Sequence, residues 1–247
     1  MMVRTRSLET ALIAMNAALY AGLGYVSFLG IFAPVVGTVR FWPVVIIPGL
    51  FAVIFSPRIG ALGAGLGIFI SDILIHGDAL LSLTVGVPAN LAGFYLLGKL
   101  YQIFRSGSKA VLPILQAVPL ILVTLMAWTG ILDLTTSLIF TGAALISLII
   151  GVGFTFFRRE YGQVIAASAL GLLAGATIVG IGVWLYSQAF TLPAAVGLGA
   201  NLPLTAAAIL FLFTYVSEIP FLVIILPILV TAVKKALPSR EVEADLR

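Results

Sequence analysis

Apolar residues fill this chain in long runs, and the polar residues collect in the gaps between them. Eight runs have helical length: Leu8 to Ile31, Trp42 to Phe55, Ile59 to Ile75, Leu80 to Tyr101, Val111 to Gly130, Leu134 to Phe157, Gln163 to Phe190 and Leu204 to Ala232. The gaps carry residues that stop helices: Ser56-Pro57, Arg105-Ser-Gly-Ser, Arg158-Arg-Glu-Tyr-Gly, and the stretch from Pro193 through Pro203. A hydrocarbon layer of about 30 Å takes about 20 apolar residues per helical crossing. The pattern therefore predicts an all-α polytopic membrane protein, a bundle of about eight transmembrane helices. Residues 1–247 form a single transmembrane domain, with short tails at 1–7 and 233–247. The run from Trp42 reads as a short helix whose outer end stops below the surface.

Composition sharpens this picture. With 62% hydrophobic and 9% charged residues, nothing remains from which to build a soluble domain. Met1 to Phe28 has the basic start of a secretory signal, but its apolar run continues to about Ile31 without a polar cleavage region, so it is predicted to be retained as a span. The chain has no cysteine, which excludes thiolate metal sites and thiol chemistry, and a single histidine, His76. No metal site or cofactor is expected.

Charge then sets orientation. There are 13 basic residues. With the amino terminus inside, Arg4, Arg6, Arg58, Lys99, Arg105, Lys109, Arg158, Arg159, Lys234, Lys235, Arg240 and Arg247 all fall on the inner side, and Arg40 alone falls outside. That is the bias expected of cytoplasmic loops, and it puts both termini in the cytoplasm. Losing one span would carry a whole basic cluster to the wrong face. The net charge of +4 is explained by topology and calls for no nucleic acid partner.

Small residues mark where helices can approach. Ala14, Ala18 and Gly22 stand four apart in the first helix, Gly63 and Gly67 in the third, and Gly171 and Gly175 in the seventh. The last two pairs are expected to pack within the chain. Enzymatic signatures are missing: there is no phosphate-binding Gly-x-x-x-x-Gly-Lys-Ser/Thr loop, no His-Glu-x-x-His and no Gly-x-Ser-x-Gly elbow. The chain hydrolyses no ATP unaided, and it is not expected to be an enzyme.

Polar residues gather on the outer half. Arg40, Asp72, His76, Asp78 and Asp133 lie at or near outer helix ends and Asn90 and Glu218 lie deeper, with Trp42, Trp128, Trp184, Tyr186 and Gln188 around them. Ionisable groups within spans usually face a bundle interior or a watery cavity, so an outward-facing binding cavity is the default expectation. Counted from Arg58, Arg40 is 18 residues away and Asp72 is 14, which at ~1.5 Å per residue is about 27 and 21 Å, inside the apolar slab. Helices two and three are joined by a tight turn, so Arg40 could pair with Asp72, snorkel beside Trp42, or meet a ligand. Glu218 lies near mid-bilayer just before Pro220, where it must be protonated or partnered; ligand contact, proton coupling and a hydrogen bond to Asn90 all fit.

Three stretches carry a family resemblance. Ala11-Leu-Ile-Ala-Met-Asn-Ala-Ala-Leu-Tyr-Ala, Gly37-Thr-Val-Arg-Phe-Trp-Pro with Pro48, and Ser56-Pro-Arg-Ile-Gly-Ala-Leu-Gly-Ala-Gly-Leu-Gly-Ile-Phe-Ile-Ser-Asp-Ile-Leu resemble the substrate-binding S components of energy-coupling-factor transporters. The closing segment Pro220 to Lys235 is similar to their last helix. The match is best over Leu8 to Tyr101 and the final helix. The resemblance implies a cell-membrane receptor that captures a vitamin, vitamin precursor or similar micronutrient and delivers it by toppling against a transmembrane coupling (T) component with two cytoplasmic ATPases. It implies that Ala14, Ala18 and Gly22 contact the coupling protein and that the segment Gly30 to Arg40 covers the substrate. The family core has six helices, so a helical hairpin, Val111 to Phe157, reads as an addition. Candidate pocket residues are Arg40, Trp42, Asp72, His76, Asn90 and Glu218.

Two other functions compete. A stand-alone proton-coupled secondary transporter would use Glu218 as its proton site. An intramembrane enzyme would use His76, Asp72 and Asp78 as a metal or acid/base cluster.

Overall fold

The computed structural model describes residues 6–29, 35–36, 39–105, 117–195 and 198–236, with side chains for 6–29, 41–105, 120–195 and 198–236. The chain is a helical bundle. In order it runs α1 (Arg6–Phe28), β1 (Val35–Val36), β2 (Val39–Arg40), α2 (Ile46–Ile54), α3 (Pro57–Ile75), α4 (Ala79–Leu81), α5 (Val87–Arg105), α6 (Ala117–Trp128), α7 (Leu134–Phe157), α8 (Arg159–Ala189) and α9 (Thr205–Ala236). A 3-10 turn, Pro43–Val45, leads into α2, and a π-helical segment, Ser82–Gly86, joins α4 to α5. Among the described residues, six helices are long and apolar enough to cross a membrane: α1, α3, the stretch Ala79–Arg105, α7, α8 and α9. The exception to an all-helical description is a two-residue antiparallel ladder, Val35 opposite Arg40 and Val36 opposite Val39.

Local chemistry fixes the boundaries. Ser56 caps α3, its Oγ accepting from the Ile59 N–H at 3.2 Å, and Pro57 occupies the first turn, where a missing N–H costs nothing. Asp133 caps α7 in the same way, accepting from the Thr136 N–H at 3.0 Å; these bonds from Thr136 hold its carboxyl below the usual range. Only Arg158 separates α7 from α8, so α8 begins at Arg159 instead of the expected Gln163. The first helix ends at Phe28, short of Ile31. Pro220 and Pro227 both lie inside α9, which runs on through them; Pro220 has no N–H to offer the Val216 carbonyl.

Glycine contacts give the packing directions. Asn16 meets Gly63, Tyr20 meets Gly67 and Ser71 meets Gly24, so α1 and α3 run parallel. Asn16, fully buried, donates from Nδ2 to the carbonyls of Ile59 and Gly60, each at 3.2 Å. Ala89, Gly93 and Leu97 of α5 lie against Gly175 and Gly171, making α5 and α8 antiparallel at backbone contact. Buried Leu212, Val216, Ile219, Leu222 and Leu226 run the length of α9 through the middle of the core.

Apart from Arg40, the described basic residues share one end of the bundle. Arg58 pairs with Glu9 at 3.4 Å, Arg105 and Lys234 both lie over the Tyr101 ring, and Gln163 donates to the Phe104 carbonyl at 3.2 Å. Arg158 covers Tyr161 beside them in sequence. Arg4, Lys109, Arg240 and Arg247 lie outside the described residues.

Candidate functional site

Toward the other end of the bundle the helices part around a cavity of about 590 Å³, a size typical of small-molecule sites. Trp42, Asp72, His76, Asn90 and Glu218, predicted from widely separated parts of the chain, all line it. A smaller space of about 50 Å³ lies beyond Asn90 and Glu218, between α5, α8 and α9, and shares Val179 and Thr214 with the main cavity. No described side chain of α6 or α7 lines either one.

The short second helix makes room for the site. Pro43–Ile54 spans 12 residues, about 18 Å, little more than half an apolar slab. The chain therefore enters at depth, where the Trp42 N–H donates at 3.2 Å to the carbonyl of Ser217, the residue before Glu218. Asp72 is 14 residues from Arg58, Asn90 is 15 from Arg105 and Glu218 is 16 from Lys234. At ~1.5 Å per residue the three stand about 21, 22 and 24 Å above the basic end, so they share one level.

Tyr20 organises the wall between them. Its hydroxyl donates to Asn90 Oδ1 at 3.0 Å, interacts with the Trp42 side chain and lies within electrostatic reach of both Glu218 and Asp72. Asn90 Nδ2 in turn donates to the Gly86 carbonyl at 2.9 Å, inside the π segment. Asn90 is thus held by Tyr20 and Gly86, and no hydrogen bond joins it to Glu218. Among the described residues, Glu218 has no hydrogen-bond or ion-pair partner.

Asp72 is held from the same π segment. Ser82 Oγ donates to its Oδ2 at 2.6 Å, and a Cβ at Gly86 would stand 2.6 Å from that oxygen, so the close approach requires glycine. His76 Nε2 faces Asp72 Oδ1 at 3.6 Å. On the other side of the ring, the Asp78 N–H donates to His76 Nδ1 at 3.1 Å. Asp78 does not line the cavity. It caps α4 through the Leu81 N–H at 3.0 Å and accepts from the Tyr186 hydroxyl at 2.8 Å. Burial opposes its charge, but these donors outweigh it and hold the carboxyl below the usual range.

The rim is pinned by α8. Trp184 Nε1 and Gln188 Nε2 both donate to the Leu202 carbonyl, at 3.2 and 3.0 Å, and the Asn201 N–H donates to the Ser187 carbonyl at 2.7 Å. These bonds fold the α8–α9 connection back so that Ala195 reaches the cavity. Trp128 stands apart: it is 85% exposed, and neither it nor Asp133 lines the cavity.

Arg40 is placed only by its backbone, on β2 two residues before Trp42; its side chain lies outside the described ones. The described partners of Asp72 are Ser82 and His76. On α1, Ala14, Ala18 and Gly22 all lie on the exposed face, and a Cβ at Gly22 would meet nothing within 4 Å. Sequence reasoning missed Tyr20 and Ser82. Tyr20 carried a weak signal, a lone hydroxyl on the inward side of an alanine-rich helix, whereas nothing in the run Leu80 to Tyr101 announced the π segment. Compared with protein-family models, curated proteins and solved structures, the chain matches none.

Proposed function

We propose that this protein is a substrate-capture subunit for micronutrient uptake across the cell membrane, an S component that works with a transmembrane coupling protein and a cytoplasmic ATPase pair. The cavity carries the reading: five polar or aromatic residues chosen from the sequence line one space far from the basic end. Charge asymmetry supports a cytoplasmic basic end, with both termini there and eight crossings, two of them made by the shorter helices α2 and α6. The division of the bundle supports a six-helix core, because both cavities are lined without the α6–α7 hairpin. The outward face of Ala14, Ala18 and Gly22 leaves a smooth surface where a partner helix can approach closely.

Two measurements test this. Affinity capture of the tagged protein from its native membrane should bring down a coupling protein with ATPases; capture of the chain alone would count against it. Substrate binding by the purified chain should be lost in Arg40→Ala with Glu218→Ala, and unchanged affinity would remove the pocket assignment. Glu218, without a hydrogen-bond or ion-pair partner among the described residues and beside a space large enough for water, also favours a second reading, a proton-coupled carrier. Uptake into vesicles without ATP, abolished by an uncoupler, would establish that reading and overturn the first.

A further inference from the structure

The cavity's charge is lopsided. Asp72 and Glu218 both line it, and His76, the only described lining residue able to carry positive charge, uses Nδ1 as an acceptor for the Asp78 N–H. Asp72 receives the Ser82 hydroxyl and faces His76 Nε2. Glu218 receives nothing from the described residues.

A carboxyl group at this depth without a partner is costly, and the cost is removed when a cation or a strong donor arrives. The surrounding walls suit the same visitor. Trp42, Tyr20 and Phe28 present aromatic rings, whose faces attract cations, and aliphatic Ile68, Val183 and Leu210 complete an apolar body around the polar level. An anion placed here would meet two carboxylates and no described positive charge.

We propose that the site selects an amphipathic organic cation, a flat nitrogenous ring bearing positive charge, with Glu218 as its counter-ion. The proposal rests on the assignment of this cavity as the substrate site and adds the charge of the ligand. Glu218 meets the cationic nitrogen, the Trp42 and Tyr20 rings flank the plane of the ligand, and Asp72, already supplied with donors, contributes to the field without direct contact.

Three probes of one shape and three charges test it: 1-methylquinolinium, neutral quinoline at pH 8, and quinoline-4-carboxylate. Binding to the purified full chain in nanodiscs is measured by equilibrium dialysis. The expected order is cation above neutral ring above anion, with at least a tenfold gap between first and last. Glu218→Gln should weaken 1-methylquinolinium at least tenfold and leave quinoline within threefold. Because the wild-type order is itself diagnostic, the test survives if that variant does not fold. Preference for the carboxylate, equal binding of all three, or no binding of the cation overturns the proposal. Capture of a coupling protein is scored separately, so a failed charge preference with intact capture refutes the ligand class alone.

Discussion

Replacing Gly171 with alanine inserts one methyl group where α5 and α8 touch. The new Cβ would stand 2.6 Å from the Gly93 carbonyl oxygen, 2.7 Å from Leu97 Cβ and 2.9 Å from the Leu97 nitrogen. Non-bonded carbons settle at about 3.5–4.0 Å, and two of these three neighbours are backbone atoms that no rotamer change can move. The helices must therefore separate by roughly 1 Å. Overpacking of this kind costs about 1–3 kcal/mol, and alanine's better helix propensity returns at most ~1 kcal/mol. A net loss of ~1–2 kcal/mol lowers the unfolding temperature by about 2–8 °C for a chain of this size. Gly22→Ala is the control, because its methyl meets nothing within 4 Å and should stabilise by ~0.5–1 kcal/mol. Both are measured by thermal unfolding in the same detergent, followed by tryptophan fluorescence. Gly171→Ala should also weaken ligand binding, since α8 carries Val179 and Val183 into the cavity. A Gly171→Ala protein as stable as wild type, or an equal drop in the two variants, would refute the close-contact argument.

Tyr20→Phe removes the donor to Asn90 Oδ1 and should cost about 1–2 kcal/mol while weakening substrate binding by freeing the Asn90 amide; unaltered binding would dismiss Tyr20 as an organiser of the site. Asp78, with its pKa depressed by folding, lends stability that is present above the ordinary carboxylate value of about 4 and lost as pH falls through its folded value. Asp78→Asn should therefore lower the unfolding temperature at neutral pH and change little in strong acid; an equal deficit at both would contradict the assignment. Ala18→Leu adds bulk to an exposed face and should leave unfolding and substrate binding within error while abolishing capture of the coupling protein, whereas undiminished capture would show that the partner docks elsewhere.

The helical skeleton was legible because its signals are local. Ser56-Pro57 announced a cap that the Ser56 hydroxyl makes, and the two arginines after Phe157 announced the α7–α8 corner. Five pocket residues were legible because polar groups in apolar runs are few and their distances from basic anchors fix their depth. The π segment was not, since its geometry depends on the Asp72 carboxylate arriving from another helix, and the run Leu80 to Tyr101 reads as ordinary α-helix. Asn16 was equally hidden: its hydrogen bonds go to carbonyls more than forty residues away. The direction of the first helix's alanine stripe was open for a related reason. Ala14, Ala17, Ala18 and Ala21 offer two adjacent faces of the same small size, and only the register set by Asn16 and Tyr20 decides which one turns outward.

With the basic end on the cytoplasmic side, as proposed, Glu218 stands about 24 Å into an apolar slab of ~30 Å, so a cation reaching it from outside falls through roughly a fifth of the transmembrane voltage. A full crossing is worth about 2.3 kcal/mol per charge at 100 mV, and a fifth of that tightens binding about twofold in an energised cell. The half-length α2, by letting the chain and its polar residues enter below the surface, would make the occupancy of the proposed site respond to membrane potential before any proposed partner acts.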